Sequence, residues 1–422
     1  MPRKKYDWKN GPAAIQQHSI AKHRILQTYL AAYFRTLVSS PHQDSLKLTL
    51  IDGFAGGGMY IHSNTKDLVR GSPFIFLEAA REAEFQINQN RHKPVRFLVD
   101  YFFIEAERQA YAHLEKVLRE AGYGDRIGHQ IQLRQARFQD TADSIIEFIK
   151  KKSPISGRSI FMLDQYGYME VPTVLIKRIF THLPSAEVIL TFGVDSLLNF
   201  ATDSDLKQAF HKMGIPDILE GRSLTEIQSS EKCWRLFIQS ALYQALVEQC
   251  DAKYYTPFFI RNQKGHGDYW LIHLSQHHRA RDVMTEVHWE HNNSFIHYGG
   301  AGLKMFQITG YDPVHDMEYH GQSALGFEFD DVARRLSIKT LIEQMPPLIY
   351  AKDEGVLFNE LFAKTCNGSP ASAEIYRESA GALLQEKVVE IISKDGVKRR
   401  STNQIKLTDR IMAPSQRQLF LL

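Results

Sequence analysis

The sequence has only three cysteines, and none of them stands in a recognisable metal or redox motif. Cys233, Cys250 and Cys366 lie far apart, so no Cys-x-x-Cys spacing occurs. A disulfide framework and a structural zinc site are therefore not expected, whereas a protein of the reducing cytoplasm is.

Long apolar runs and a strong excess of charge are also missing. No stretch approaches the ~18 consecutive apolar residues of a membrane-spanning helix, so we expect no membrane partner. The basic segment Met1–Tyr6 is followed by no apolar run, which argues against a signal peptide. The formal net charge is only +3 over 422 residues, so any surface that binds nucleic acid must be a local one.

Apolar residues make up 43% of the chain, which is enough for a well-buried core. Five strands that are apolar on both faces alternate with helical segments. The predicted strands are Leu46–Ile51, Val95–Ile104, Gln130–Leu133, Ser159–Leu163 and Glu187–Phe192. Such strands are typical of a parallel sheet covered by helices. Two further strands, about Tyr254–Arg261 and Tyr269–Leu274, predict an antiparallel hairpin that closes the sheet.

The order of these segments divides the chain into three parts. Residues 1–44 are predicted to form an N-terminal arm and a helix, and residues 45–330 an α/β domain with a helical insertion at about 205–250. Residues 350–415 are expected to form a winged-helix-like domain. Its wing is predicted from two strands, Val388–Ser393 and Asn403–Leu407, that pair around Lys394-Asp395-Gly396.

A glycine-rich loop follows the first strand of the α/β domain. Asp52 ends this strand, and Gly53-Phe54-Ala55-Gly56-Gly57-Gly58 follows it. Parallel sheets bind ligands at the carboxyl ends of their strands, and glycines let the backbone approach a ligand closely. Glu105 ends the next strand, much farther along than the about 20 residues typical of a nicotinamide fingerprint. This spacing favours S-adenosylmethionine and a Rossmann-like class I methyltransferase sheet.

The residues expected to hold this cofactor come from the loop, from the next two strand ends and from the N-terminal helix. They are Asp52, Phe54, Ala55, Gly56, Gly58, Glu105, Asp140 and Lys22. Glu105 is expected to bind the ribose hydroxyls, and Asp140 to lie near the adenine ring. Lys22 and His18 share one face of this helix. That face can line the cofactor or nucleic-acid entrance, or it can be a solvated face.

The fourth strand ends in Asp164-Gln165-Tyr166-Gly167. Methyltransferases of exocyclic amino groups often have Asp or Asn, two prolines and an aromatic residue at this place. The carboxylate or amide accepts hydrogen bonds from the target amine, and the aromatic ring stacks on the extruded base. Asp164, Tyr166 and Gly167 are therefore the candidate catalytic residues. Gln165 replaces a rigid proline, and a purely structural role for Asp164 stays open.

These motifs together resemble one known family, the three-Cys-motif partner (TcmP) family. The matching stretches are His18–His23 with Leu26 and Tyr29-Leu30, Ile51–Gly56, Gly71-Ser72-Pro73, Asp164 with Tyr166–Tyr168, Tyr269–His273, Arg281–Met284 with Trp289, and the closing winged-helix-like segment. The resemblance implies a bacterial cytoplasmic protein that works with a radical-SAM-like protein carrying a three-cysteine motif. The family's own loop often reads Asp-Pro-Tyr-Gly, from which Gln165 departs.

Two further clusters have to be weighed. Lys394, Lys398, Arg399 and Arg400 lie on the proposed wing, where they can grip phosphates of DNA or RNA or form a solvated hairpin in a protein-binding module. His288 and His291 are one helical turn apart, but no carboxylate or cysteine stands at ligand spacing, so no metal is expected.

The sequence thus leaves two functions open. One is a methyltransferase that acts on an amino group of a nucleic-acid base. The other is a catalytically degenerate methyltransferase fold that binds nucleic acid and recruits the radical-SAM-like partner.

Overall fold

The computed structural model describes residues 6–8, 11–15, 17–165, 170–193, 203–216, 218–219, 221–230, 234–260, 269–291, 301–303 and 329–414. The chain divides into two compact units. The first contains residues 1–234 and 241–287, and the second contains residues 235–240 and 288–422. The N-terminal segment belongs to the first unit, which ends at 287, whereas the sequence places the end of the α/β domain near 330.

The strands of the described residues are β1 Ala13–Ile15, β2 Ser45–Asp52, β3 Met59–His62, β4 Leu68–Arg70, β5 Arg96–Ile104, β6 Ile131–Arg134, β7 Ser159–Leu163, β8 Ala186–Phe192, β9 Tyr254–Ile260, β10 Tyr269–Ser275, β11 Val356–Leu357, β12 Glu390–Ile392 and β13 Arg410–Met412. The α-helices are α1 Gln17–Leu37, α2 Ser72–Gln89, α3 Arg108–Leu118, α4 Phe138–Lys152, α5 Thr173–His182, α6 Asp203–Met213, α7 Leu224–Ser230, α8 Trp234–Cys250, α9 His278–Glu290, α10 Asp331–Tyr350, α11 Phe358–Thr365 and α12 Ala373–Gln385.

Seven strands form the main sheet, in the order β6-β5-β2-β7-β8-β10-β9. The first five run parallel, and β10 is antiparallel to both of its neighbours. The sheet is mixed α/β, with a parallel core and one reversed strand near its edge. This is the predicted Rossmann-like class I methyltransferase sheet. Among the described residues, the helices α6, α7 and α8 stand between β8 and β9, where the helical insertion is predicted.

The parallel strands form because their side chains can be buried on both faces. Every residue of β7 and of β8 is buried, and so are the last five residues of β2. Two of these buried positions carry a carboxyl group, Asp52 at the end of β2 and Glu187 in β8. Glu187 has its partners on other elements. Its carboxylate accepts a hydrogen bond from the Tyr29 hydroxyl of α1, and its Oε2 atom lies 2.9 Å from Nε2 of His273 on β10. This buried polar contact fixes the face of α1 that lies on the sheet.

The N-terminal arm packs onto the first unit. Strand β1 pairs in parallel with β3, which directly follows the glycine loop, and β4 completes this small sheet. Trp8 is buried together with Ala13 and Ala110. The short strands β1, β3 and β4 lack the apolar periodicity that marks the main sheet, and the sequence analysis does not predict them.

The second unit contains α10 to α12 and a small sheet in the order β11-β13-β12. The predicted wing pairing is wrong in its second strand, because β12 pairs with Arg410–Met412 and not with Asn403–Leu407. Residues Thr402–Gln404 form a single 3-10 turn instead. A Cβ on Gly381 of α12 would collide with Thr402, so this turn packs closely on the helix. None of the helices in the described part of the chain combines the length and apolar content needed to cross a membrane.

Candidate functional site

The glycine loop lies at the carboxyl end of β2, in the middle of the parallel strands. Four successive N–H groups of this loop donate to acceptors of the protein itself. They are those of Gly53 to the Met162 carbonyl at 2.9 Å, Phe54 to Asp52 Oδ1 at 3.1 Å, Ala55 to the Ile104 carbonyl at 2.9 Å, and Gly56 to Glu105 Oε2 at 2.9 Å. Phosphate-binding loops instead present such N–H groups to the ligand. The arrangement of residues 53–56 therefore does not suit a pyrophosphate.

Aromatic rings of the protein lie against the outer side of this loop. Gly56 has a φ of +59°, which favours glycine, and a Cβ there would collide with the Tyr60 hydroxyl. A Cβ on Gly57 would collide with the Trp8 ring. The centroids of the Trp8 and Tyr60 rings are 5.2 Å apart, in an edge-to-face arrangement. The N-terminal arm and Tyr60 thus cover the loop, and the sequence analysis assigned neither of them a role.

Asp52 and Glu105 stand at the ends of the neighbouring strands β2 and β5. Asp52 is fully buried, and burial raises the pKa of its carboxyl group to about 7, although the Ser72 hydroxyl and the Phe54 N–H oppose this shift. Its Oδ2 atom accepts no hydrogen bond of regular geometry among the described residues. Burial also raises the pKa of Glu105, against its hydrogen bonds from the N–H groups of Glu107 and Gly56.

Asp164 follows the last residue of β7, next to β2 in the sheet. The Nζ atom of Lys22 in α1 lies 2.6 Å from both carboxylate oxygens of Asp164. Lys22 is 4% exposed, whereas the Asp164 side chain keeps 28% of its surface accessible. Loss of water around the Asp164 carboxylate would raise its pKa. The charge and hydrogen bonds of Lys22 outweigh this effect and hold that pKa below its usual range. Lys22 therefore contacts Asp164, the predicted target-binding residue, rather than the glycine loop.

His23 is the neighbour of Lys22 in α1 and belongs to the same group of side chains. Burial, together with the charge of Lys22, lowers the pKa of His23 to about 4, and Asp164 opposes this shift. The imidazole is therefore neutral near pH 7. Its Nδ1 atom is buried and accepts or donates no hydrogen bond among the described residues.

Gln165, which stands in place of the expected proline, ties together the two ends of the segment that follows β7. Its Oε1 atom accepts hydrogen bonds from the N–H groups of Glu170 at 2.9 Å and Val171 at 3.1 Å. The carbonyl of Glu170 in turn accepts a hydrogen bond from the side-chain amide of Gln139 in α4. Gln165 is 3% exposed, so these bonds are shielded from water. The Gln165 side chain therefore links Glu170 and Val171 to the end of β7 through two hydrogen bonds.

Three of the predicted site residues are not brought into this group by the described contacts. Tyr166 and Gly167 lie outside the described residues. Asp140 is exposed on the first turn of α4. Within the described part of the chain, no three His, Cys, Asp or Glu side chains are placed to hold a metal ion.

The wing residues fall into two classes. Arg399 forms a bidentate pair with Asp409, at 2.8 Å from Nε and 2.9 Å from the second guanidinium nitrogen, and Lys398 pairs with Glu390 at 2.7 Å. Asp409 is 1% exposed, and burial would raise its pKa, but the Arg399 hydrogen bonds lower it. Lys394 and Arg400 are exposed. The structure thus gives Arg399 a structural contact that its position in a basic run did not indicate.

Comparisons with known proteins agree with a two-part chain. A family model described as a GMT-like wHTH domain, a winged helix-turn-helix, matches residues 310–396. That match begins and ends earlier than the winged-helix-like segment expected at 350–415. No curated protein matches the chain.

Solved structures with weak similarity to the chain include a protein of Legionella pneumophila, LPL1258, with a TM-score of 0.34 and 10% identity over 60% of this chain and 84% of that one. A second is SMU.1697c of Streptococcus mutans, a putative methyltransferase in complex with SAH, with a TM-score of 0.26 and 12% identity over 62% and 98%. A third is cofactor-bound Rv0187 from MTB, with a TM-score of 0.32 and 12% identity over 61% and 81%.

Proposed function

We propose that this protein is an S-adenosylmethionine-dependent methyltransferase that acts on an amino group of a nucleic-acid base. The observation that carries this proposal is the Asp164 carboxylate, which is ionised, partly accessible and placed beside the glycine loop. A carboxylate at this place accepts an N–H of an amine and orients the nitrogen for attack on a methyl group. The cofactor would supply that methyl group.

The residues around the glycine loop fit such a cofactor. We assign its binding to Asp52, Phe54, Ala55, Gly56, Gly58 and Glu105, with Asp140 on the side of the adenine ring. Asp52 Oδ2 is a buried acceptor without a regular hydrogen bond, and such an atom suits the ammonium group of the methionine part. Each carboxylate oxygen of Glu105 has a second lone pair beyond its bond to the backbone, so the ribose hydroxyls can still donate to it.

The target side of the site is assigned to Asp164, Tyr166 and Gly167, with the ring of Tyr166 stacking on the base. Lys22 belongs to this side through its contact with Asp164. The winged helix-turn-helix match and the exposed residues Lys394 and Arg400 support nucleic acid, DNA or RNA, as the larger substrate. A bacterial cytoplasmic setting and a radical-SAM-like three-Cys-motif partner rest on the resemblance of the motifs alone.

One observation favours the second function, a degenerate methyltransferase fold that recruits its partner to nucleic acid. The Tyr60 hydroxyl lies against Gly56, and its pKa is raised well above the usual value by burial and by nearby groups that include Asp52, Glu105 and Asp164. A ligand at these carboxylates must share this space with Tyr60 or displace it.

Calorimetric titration with S-adenosylmethionine separates the two functions. The methyltransferase binds the cofactor and transfers tritium from its methyl group to total cellular nucleic acid. The Asp164→Asn variant, which keeps the shape of the side chain, should bind the cofactor as the wild type does and lose transfer. Absence of cofactor binding by the wild-type protein would leave only the adaptor function.

A further inference from the structure

Lys22 occupies an unusual position for a residue of an N-terminal helix. It is 142 positions from Asp164 in sequence, yet its Nζ contacts both oxygens of that carboxylate at 2.6 Å. Ion pairs on a protein surface are exposed, whereas Lys22 is 4% exposed. Burial of an ammonium group costs free energy, which only a close partner of opposite charge offsets. The contact of Lys22 with Asp164 is therefore a stable part of the folded state.

Within the described part of the chain, the groups that act on the Asp164 carboxylate come from four elements. They are Lys22 and His23 of α1, Thr191 of β8, Asp52 of β2 and Tyr60 of β3. His23 is neutral near pH 7. Lys22 is therefore the one cation among these named groups at neutral pH.

Entry of a base makes the charge of Lys22 more important for keeping Asp164 ionised. A base that stacks over Asp164 removes the 28% of the side chain that water still reaches. Loss of water disfavours a carboxylate and favours its neutral acid. Asp52 shows this outcome in the same sheet, because it is fully buried without a cation and the pKa of its carboxyl group rises to about 7.

The two protonation states of Asp164 recognise different chemical groups. A carboxylate only accepts hydrogen bonds, so it pairs with the N–H of an amino group. A neutral carboxylic acid also donates, so it pairs as well with a carbonyl oxygen. A base with an amino group presents an N–H donor at that position, whereas its deaminated counterpart presents a carbonyl oxygen.

We propose that Lys22 is a positioning residue that keeps Asp164 an acceptor only, and that it thereby selects an amino group over a carbonyl on the incoming base. The proposal rests on the proposed function for its substrate class. It removes Lys22 from the cofactor-binding residues and makes it a determinant of specificity. The side chain acts through Asp164 and need not touch the base.

The first test concerns Asp164 alone and needs no substrate. Thermal unfolding is followed at about pH 5 and about pH 8 for Lys22→Met, for Lys22→Arg and for the double variant Lys22→Met with Asp164→Asn. Without Lys22 the folded-state pKa of Asp164 rises above its unfolded value, so the loss of stability grows as pH increases. The Tm gap between Lys22→Met and the double variant should therefore be small at the lower pH and larger at the higher one. Lys22→Arg should behave as the wild type.

The charge of Asp164 also raises the pKa of Asp52, so the same variants are compared again in an Asp52→Asn background, where Asp52 no longer titrates. An equal Tm gap at both pH values would overturn the proposal, because a packing contribution of Lys22 does not depend on pH. If Lys22→Met does not fold, Lys22→Gln with and without Asp164→Asn supplies the same comparison, because glutamine also removes the cation.

The second test concerns selection of the base. Binding is measured in the presence of SAH to single-stranded oligonucleotides that carry adenine or hypoxanthine, and cytosine or uracil, at one position. The wild type should prefer an amino-bearing base by at least about tenfold, and Lys22→Met should lose most of that preference at about pH 6. A preference that is intact in Lys22→Met would overturn this inference. A wild type that shows no preference while the Tm result holds would instead overturn the proposed function.

Discussion

Asp52 and Asp164 end two adjacent parallel strands, β2 and β7, yet their carboxyl pKa values move in opposite directions. Burial raises the pKa of Asp52 to about 7, whereas the Lys22 contact lowers that of Asp164. A pair of carboxyl groups whose environments separate their pKa values is common where two groups have different tasks. Here the division agrees with the proposed assignment of Asp52 to the cofactor and of Asp164 to the target amine.

The first prediction concerns Asp52 and the pH dependence of cofactor affinity. If the ammonium group of S-adenosylmethionine contacts Asp52, binding favours the ionised carboxylate. The dissociation constant should therefore fall by up to about tenfold per pH unit as pH rises from about 5.5 to about 7. Calorimetry over this interval measures it, with Asp52→Asn as the control that should bind weakly and with little dependence on pH. A wild-type constant that does not change would remove Asp52 from the cofactor site.

The second prediction concerns Gln165. Gln165→Leu removes the acceptor of the Glu170 N–H and of the buried Val171 N–H, at a local cost of about 1–3 kcal/mol. Displacement of the segment between these residues should lower kcat by about tenfold or more and leave the Kd for the cofactor near the wild-type value. Gln165→Glu keeps an accepting oxygen and should retain more activity. Equal losses in the two variants would show that the hydrogen bonds of Oε1 do not matter.

The third prediction concerns Arg399, which lies in the basic run of the wing. Arg399→Met deprives the buried Asp409 of its bidentate partner, so the winged-helix unit should lose stability and unfold at a lower urea concentration than in the wild type. Arg399→Met with Asp409→Asn should recover part of this loss. Urea unfolding followed by Trp289 fluorescence measures the effect, and a variant as stable as the wild type would contradict the structural role.

The fourth prediction concerns the exposed wing residues Lys394 and Arg400. Reversal of both charges with glutamate should weaken nucleic-acid binding and reduce the slope of its salt dependence by about one for each lost phosphate contact. Stability should stay within about 0.5 kcal/mol of the wild type, which separates these two positions from Arg399. An unchanged salt slope would favour a protein-binding role for the wing.

The main sheet could be predicted from sequence because its strands carry their own signal. Ser159–Leu163 was predicted with its observed bounds, since a run that is apolar on both faces has only one stable place in an α/β protein.

The second strand of the wing could not be predicted in this way. Asn403–Leu407 was chosen as the partner strand because of its closeness, but Gln404 accepts a hydrogen bond from the Arg400 N–H and the chain turns before Arg410. Strand β13 has only three residues, which is too short for a periodic pattern.

The grouping of the candidate site residues could be predicted only where those residues stand at strand ends. Asp52, Glu105 and Asp164 were identified in this way, because parallel strands bring their carboxyl ends to one edge. The contact of Lys22 with Asp164 and the position of Tyr60 depend on how α1 and the small sheet pack, and no local pattern records such packing. Gln165 was interpreted as a lost proline because sequence shows the missing ring and not the two hydrogen bonds that replace it.

The glycine loop is complete before any ligand arrives, because the N–H groups of residues 53–56 already have acceptors within the protein. Its amide hydrogens should therefore exchange slowly with deuterium in the empty protein, and cofactor binding should slow them little further. A cofactor that binds as proposed would therefore lose no affinity to the ordering of this segment. Any change in hydrogen exchange on binding should instead be concentrated around Tyr60 and the N-terminal arm. The rates of cofactor entry and release should therefore depend on that arm.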